Sequence, residues 1–483
     1  MVRSTKQLYP DFTQFITEIN KNGITVDLLK KILQKHKENS LYNRKLYDRY
    51  MGSNVPIQKR DPRYKEDKPI NNKIANDFFG EIVDFKTGYF AGKPIGYGYS
   101  KGAEAEAVTG GAMGVDIATK AITDFVVRNN MYGVDMEVTK FASVYGYAGR
   151  LFYIDLEGNE RVMPVHGYET IILSNTDISE PEYAIRYFYT TDINDNKKWT
   201  VEFYDNTNII TYEGGSLSSL EEKEVKPHMF DYCPLQGVAN NKEMMGDVEK
   251  VLSLIDDYDK VLSDNSNEIE SFVHAIMLIS MNVDDDTLRK AQANGMLIAP
   301  PMGTVNVNEP VKWVTKNIND TFTEHHLDRL EESIYRFSRT PNLSDESFGS
   351  ASGVSLKFKL HGLETKCGMY QAQFMNAAQY MWKVLSSVWA KKRIIVDPLQ
   401  VLMSFERNFP LDHLANAQTA QALIAAGLPE ETAWDIAIPE IDDVDYVLEL
   451  KNQKQNDITP LYDDEPTDNP EEVGGEINPQ MQN

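Results

Sequence analysis

Apolar residues recur at steps of four and three through Leu363, Cys367, Tyr370, Phe374, Ala377, Met381, Leu385 and Val388. That spacing lays one stripe along an α-helix and predicts a single very long one. Shorter stripes predict others. Thr25 or Asp27 is placed to cap a helix bearing Leu28, Leu29, Ile32 and Leu33. Ile74, Phe78, Ile82, Phe85 and Tyr89 mark a helix after Asn71-Asn72 that stops at Gly92-Lys93-Pro94. The Gly/Ala-rich stretch from Gly96 to Gly114 reads as a loop, followed by a helix from Val115 to Arg128 and another ending near Tyr145-Gly146. Met244, Val248, Val251, Leu252, Ile255, Tyr258, Val261 and Leu262 predict a helix of about 25 residues. Phe322, Leu327, Leu330, Ile334 and Phe337 predict another from Asn319 to Arg339. Helices over Leu411–Ala426 and Glu430–Ile436 close the series.

Between residues 150 and 212 the period changes to β-branched and aromatic runs. Arg150–Leu156 and Val162–Leu173 flank Glu157-Gly158-Asn159-Glu160, a hairpin signature. With Tyr183–Thr190, Trp199–Tyr204 and Ile209–Tyr212 they make a small antiparallel sheet among helices. The two helices near 241–271 and 316–340 bracket an insert with an apolar run (Phe272–Met281), a short helix (Asp284–Asn294) and two strands, Met296–Ala299 and Val311–Val314. The expected fold class is therefore α+β, mainly α. Pro341 to Gly353, PNLSDESFGSASG, reads as an exposed polar loop.

Charge sharpens this picture. The 483 residues carry 49 Lys and Arg against 73 Asp and Glu, a formal −24, so the general field repels phosphates. Asp457–Asn483 holds eight of the acids and no Lys or Arg, the composition of a disordered tail. Two cysteines, Cys233 and Cys367, exclude a disulfide framework and a four-Cys zinc site. No run approaches 18 apolar residues and the N-terminus has no apolar signal region, so the expectation is a cytoplasmic, soluble chain.

Enzyme chemistry finds little support in the residues. His325-His326 beside Glu324 lacks the i, i+4 histidine pair of a zinc-protease helix. Gly110-Gly111-Ala112-Met113-Gly114 lacks the Lys-Ser/Thr of a phosphate-binding loop. Cys367 sits on an apolar stripe, as a buried hydrophobe does. Asp284, Asp285 and Asp286 read first as a helix cap with first-turn acids and second as a partner-docking or cation-binding tip. Asp442, Asp443 and Asp445 read as solvated surface. No catalytic residue, metal or cofactor is expected.

Four segments in series carry a resemblance: NNKIANDFFGEIVDFKTGYFAGKPI (Asn71–Ile95), FASVYGYAGRLFYIDLEGN (Phe141–Asn159), TPNLSDESFGSASGVSLKFKLHGLE (Thr340–Glu364), and Gly427-Leu428-Pro429-Glu430-Glu431-Thr432 with Pro439 and acids up to Glu449. In this order they resemble the portal proteins of tailed bacteriophages, specifically the Gp6-like siphovirus family. One departure is the Gly/Ala segment Gly102–Gly114. The resemblance implies a ring of about twelve subunits at one capsid vertex, with a central channel through which double-stranded DNA is packaged and ejected. It implies wing (1–240), stem helix (241–271), clip (272–315), second stem helix (316–340), tunnel loop (341–353), long wing helix (354–395), crown (396–455) and acidic tail (456–483). Implied partners are further copies of the chain, DNA without sequence specificity, the terminase large subunit, a head-completion (adaptor) protein, and major capsid and scaffolding proteins. No membrane is implied; the location would be the virion, after assembly in the bacterial cytoplasm. The loop residues expected to meet DNA are Asn342, Ser344, Asp345, Ser347, Gly349, Ser350 and Ser352, with Lys357 and Lys359 just beyond as a local basic ring. They include no arginine to read guanine. The rival readings are another phage-head interaction protein without a channel and, from a different class, a metal-dependent nuclease.

Overall fold

A computed structural model of the chain describes residues 9–62, 70–191, 193, 195–273, 276–280, 296–299, 311–314, 320–342, 353–408 and 413–437. Two compact units divide at Phe409/Pro410. The first is mixed helix and strand, as the periodicities require, with helix predominating.

Its N-terminal layer is α1 (Thr13–Asn22) and α2 (Val26–Tyr50). Of the two candidate caps, Thr25 is the one used: its side chain accepts from the Leu28 N–H. Ile16, Ile19, Leu29, Ile32 and Leu33 are buried against one face of a five-stranded sheet. That sheet is a meander of β4 (Thr170–Leu173), β5 (Tyr183–Thr191), β6 (Lys197–Tyr204), β7 (Asn208–Gly214) and β8 (Glu221–Pro227), every neighbour antiparallel. The pattern missed β8, Glu221-Glu222-Lys223-Glu224-Val225-Lys226-Pro227, because all seven positions of this edge strand are exposed. The run expected from Val162 to Leu173 is divided at His166-Gly167. Its first part, β3 (Glu160–Val165), pairs with β2 (Tyr147–Ile154) instead. β2 also pairs with β9 (Leu235–Ala239), so the single expected sheet is two.

α3 (Phe78–Ala91) starts four residues after the expected Ile74, capped by Asp77. The residues before it run along α7 (Leu252–Val273). The backbone N–H groups of Asn72, Ile74 and Asn76 donate to side-chain oxygens of Asn267, Ser263 and Asp259, at 2.6, 2.9 and 2.9 Å. Two residues of extended chain rise about 6.6 Å and four residues of helix about 6.0 Å, so the repeats match. Gly96–Gly114 is not a loop. Gly96–Tyr99 form β1, paired with β13 (Val401–Ser404), and Ala103–Thr109 form α4, whose Ala and Glu residues favour helix. α5 (Ala112–Arg128) and α6 (Met131–Tyr145) follow. α6 ends at Gly146, whose φ of 96° is left-handed and whose added Cβ would lie 2.0 Å from the Met244 carbonyl oxygen.

Residues 244–251 form turns rather than the first third of a helix, so α7 begins only at Leu252. α8 (Asp320–Ser338) packs beside α7, burying Leu327, Leu330 and Ile334; Phe322 and Phe337, expected on that face, are exposed. Between them in sequence, β10 (Ile276–Ser280), β11 (Met296–Ala299) and β12 (Val311–Val314) form a sheet in the order β11-β10-β12. The expected helix Asp284–Asn294 lies outside the described residues. α9 (Gly353–Lys391) is the long helix, and all eight stripe residues are buried. In the second unit, α10 (His413–Ala425) and α11 (Glu430–Ala437) pack together around Ala420 and Ala433. The expected acidic tail lies outside the described residues.

His36 on α2 is buried between the hydroxyls of Tyr187 (3.0 Å) and Tyr147 (3.2 Å), and burial pulls its pKa down to about 3. The unfolded chain therefore takes up a proton below about pH 6.5 that the folded chain refuses. Its contribution is complete above that pH and is lost as pH falls toward 3, about 2 kcal/mol gone by pH 5. Asp135, which burial raises to about 6 against the pull of Arg150, works in the opposite direction. The contribution of His36 is thus isolated by comparing denaturant midpoints at pH 7.5 and 5 for the native chain and His36→Asn. The variant should lose less stability on acidification, and equal losses would contradict the assignment.

Candidate functional site

The expected tunnel loop begins where α8 stops. Arg339 turns into left-handed backbone at φ 59°, and the Thr340 N–H closes back on the Tyr335 carbonyl at 3.1 Å. Asn342 donates to Glu331 at 2.8 Å, pinning the first loop residues to α8. Tyr335 donates to both carboxylate oxygens of Glu81 at 2.9 Å, and Phe78 stacks edge-on against Tyr335 and Tyr258. The start of α3 thus wedges α7 and α8 together. A groove of about 620 Å³ lies at the loop's base, lined by Asp328, Glu331, Tyr335, Arg339, Asn342 and Lys359.

The other anchor is buried. Lys366 of α9 donates to the Ser338 carbonyl at 3.0 Å, satisfying one of the open acceptors at the end of α8. It also lies 3.1 Å from Asp247, which is 2.8 Å from Lys86 of α3. Asp247 further accepts from Ser143 of α6 and from Asn240, which follows β9. Lys86 is itself bonded to Asn240 and stands 4.6 Å over the Tyr370 ring. Burial alone would favour a neutral Asp247, but Lys366 and Lys86 hold its carboxyl far below the usual range. Burial lowers Lys366, and Asp247 partly restores it. Buried Lys86 and Asp247 with largely buried Lys366 therefore join α3, α6, α8 and α9 at one point. Nothing in the spacing along the sequence foretold this grouping, because Lys86, Asp247 and Lys366 stand far apart in the chain.

Of the residues expected to meet DNA, Asn342 follows α8 and is bonded back to it, Lys357 is exposed on the first turns of α9, and Lys359 lines the groove. Ser344, Asp345, Ser347, Gly349, Ser350 and Ser352 lie outside the described residues, as do Asp284, Asp285 and Asp286 at the expected docking tip. α7 and α8 together carry eleven Asp and Glu against three Lys and Arg, a strongly acidic pair. On one side this charge is met by the basic residues of the N-terminal layer: Arg49 on Asp256 and Arg60 on Asp264, both at 2.7 Å.

The enzyme-like features resolve into structure. His326 lies 3.6 Å from Asp257 on exposed surface, and no metal-ligating cluster of three occurs among the described residues. Gly110 and Gly111 take positive φ to turn α4 into α5; the element before them is a helix, not the strand of a phosphate-binding loop. Both cysteines are free and buried, and burial raises the thiols of Cys233 and Cys367 to about 12 and about 11, so neither is a ready nucleophile. Among the described residues no helix is long and apolar enough to cross a membrane.

Comparison with known proteins agrees with the resemblance. The family model for phage portal proteins of the SPP1 Gp6-like type matches residues 29–460. A portal protein of Clostridium phage phiCD119 is 22% identical over 385 residues, covering 76% of this chain and 81% of its own length. The portal protein of Bacillus phage SPP1 is 23% identical over 390 residues, covering 76% of this chain and 73% of its own.

Removing the carboxylate from the buried node leaves two lysines without a counter-charge. Asp247→Ala should therefore cost about 3–5 kcal/mol in denaturant unfolding. Lys93→Ala, which breaks the exposed pair of Lys93 with Glu406, should stay within about 1 kcal/mol of the native chain. Equal effects from the two substitutions would remove the node from its anchoring role.

Proposed function

The chain belongs to the SPP1 Gp6-like family of phage portal proteins, and from that premise we propose that about twelve copies close into a ring at one capsid vertex. Double-stranded DNA passes through the ring during packaging and ejection. The family is structural, and the role assigned here is that of a conduit and docking platform rather than a catalyst. The insert between α7 and α8 would be the clip, where the terminase and then a head-completion protein dock. Capsid and scaffolding proteins would meet the outer parts of the ring.

The acidic pair α7–α8 beside the loop base is the observation that carries this reading. Twelve helices about 10 Å wide set side by side span a circumference of about 120 Å. Their centre-line diameter is about 38 Å, which leaves an opening of about 28 Å. The groove depths of B-form DNA sum to about 16 Å, so a duplex passes with room to spare. A wall rich in carboxylates repels the phosphate backbone and keeps a moving duplex from being gripped. Lys357 and Lys359 would offset that repulsion locally at the loop.

Native mass spectrometry with negative-stain imaging tests the ring. Twelve copies of the 54.9 kDa chain would give a closed particle of about 660 kDa with a central hole. A monomer or dimer that persists on concentration would leave the reading without its channel. Charge reversal at Lys357 and Lys359 should reduce DNA packaging, and unchanged packaging would end the role given to them.

A further inference from the structure

The charge of this chain is segregated. Against a total of −24, α2 alone carries seven Lys and Arg and three Asp and Glu. Its buried face, Leu29, Ile32, Leu33, His36, Asn39, Asn43 and Leu46, packs inward on the sheet and α6, which turns the cations outward. Lys31, Lys37, Arg44 and Lys45 are exposed and Lys30 is half-buried. From Lys31 to Lys45 the helix rises about 21 Å. Among the described residues, no carboxylate lies within ion-pair distance of Lys30, Lys31, Lys37, Arg44 or Lys45. Arg44 instead stands over the rings of Tyr168 (5.5 Å) and Tyr189 (6.0 Å), and Lys197 of β6 stands 4.6 Å over Tyr189. The aromatic ring thus carries the basic stripe from the helix onto the sheet. Glu38 lies on the same face, with Asp27 and Asp48 near the ends.

Water solvates these cations in the isolated chain, so the stripe is open to a partner of opposite charge. Its only large exposed apolar residue is Leu41, so a protein partner would find one anchor and no hydrophobic centre to close around. A polyanion needs neither. A duplex presents one phosphate per about 1.7 Å of axis, about twelve along the length of the stripe. We propose that the outer face of α2, extended by Lys197, is a sequence-independent binding surface for the phosphate backbone of duplex DNA, separate from the central conduit. The choice of duplex as the polyanion rests on the conduit reading, but the surface itself does not need the ring.

A covalently closed circular duplex tests this, because it cannot be threaded through a closed ring. The full chain should bind the circle at 50 mM salt and weaken by about 500-fold at 200 mM, the slope for about five neutralised phosphates. Replacing Lys31, Lys37, Arg44 and Lys45 together by Gln keeps helix propensity. That variant should retain the assembly state of the native chain and lose about 3.6 from the slope of log affinity against log salt. Lys223→Gln with Lys226→Gln, on the exposed edge strand β8, should leave the slope unchanged. Failure of the native chain to bind the circle at 50 mM, or equal binding by the four-site variant, overturns the proposal. Binding of poly-glutamate without binding of the circle also overturns it, in favour of an acidic protein partner. A chain that binds the circle in this way yet forms no ring would leave the surface standing and remove only the conduit.

Discussion

Asp247 is buried between two lysines, and the helices of the first unit meet around that carboxylate. A carboxylate and two ammonium groups cost several kcal/mol each to desolvate, and only close, well-oriented partners repay it. Lys86 and Lys366 approach within 2.8 and 3.1 Å, Ser143 and Asn240 supply the remaining donors, and the Tyr370 ring faces Lys86. Because each partner comes from a different element, the helices can meet in one arrangement only if all the bonds are made together. Lys366 links the node to the carbonyl of Ser338 at the end of α8. The chain therefore leaves α8 from a firmly held base.

A second constraint works along α7. The extended residues Asn72, Ile74 and Asn76 find acceptors every fourth residue of a helix, since the two rises nearly coincide. The three N–H groups have no strand to pair with and would otherwise be unsatisfied where they are covered. Arg60 and Arg49 add charge pairing on the same flank. An acidic helix is thus clasped on one side by backbone donors and arginines, while the carboxylates elsewhere on α7 and α8 keep their negative field. Packing and a net negative field thus lie on different sides of the same pair of helices.

Much of this was legible without coordinates. The stripe from Leu363 to Val388 predicted α9 and every one of its eight residues is buried, because a helix that long has to hide its apolar edge against several partners. The hairpin at Glu157–Glu160 and the stop at Gly146 followed from local backbone chemistry. Where the pattern failed, a distant partner decided. Gly96–Tyr99 reads as a loop by composition and becomes a strand only because Val401–Ser404 comes to lie beside it. The stretch after Asn72 reads as helix by the apolar spacing that starts at Ile74, yet the N–H groups of Ile74 and Asn76 find acceptors on α7. Edge strand β8 shows no pattern because both its faces are wet.

By itself the sequence determined the cores of the long helices, the mixed fold class, the acidic balance and the family. These depend on short-range periodicity and on composition, which any stretch of chain carries with it. Tertiary structure alone decided which charges meet. Lys86, Asp247 and Lys366 form one buried node, and Asn72, Ile74 and Asn76 lie on α7. The basic residues of α2 that end without carboxylates, such as Lys31 and Lys37, are told from Arg49, which ends paired with Asp256, only when the chain is folded. Ion pairs and hydrogen bonds need donor and acceptor within about 3–4 Å, and sequence separation does not report distances on that scale.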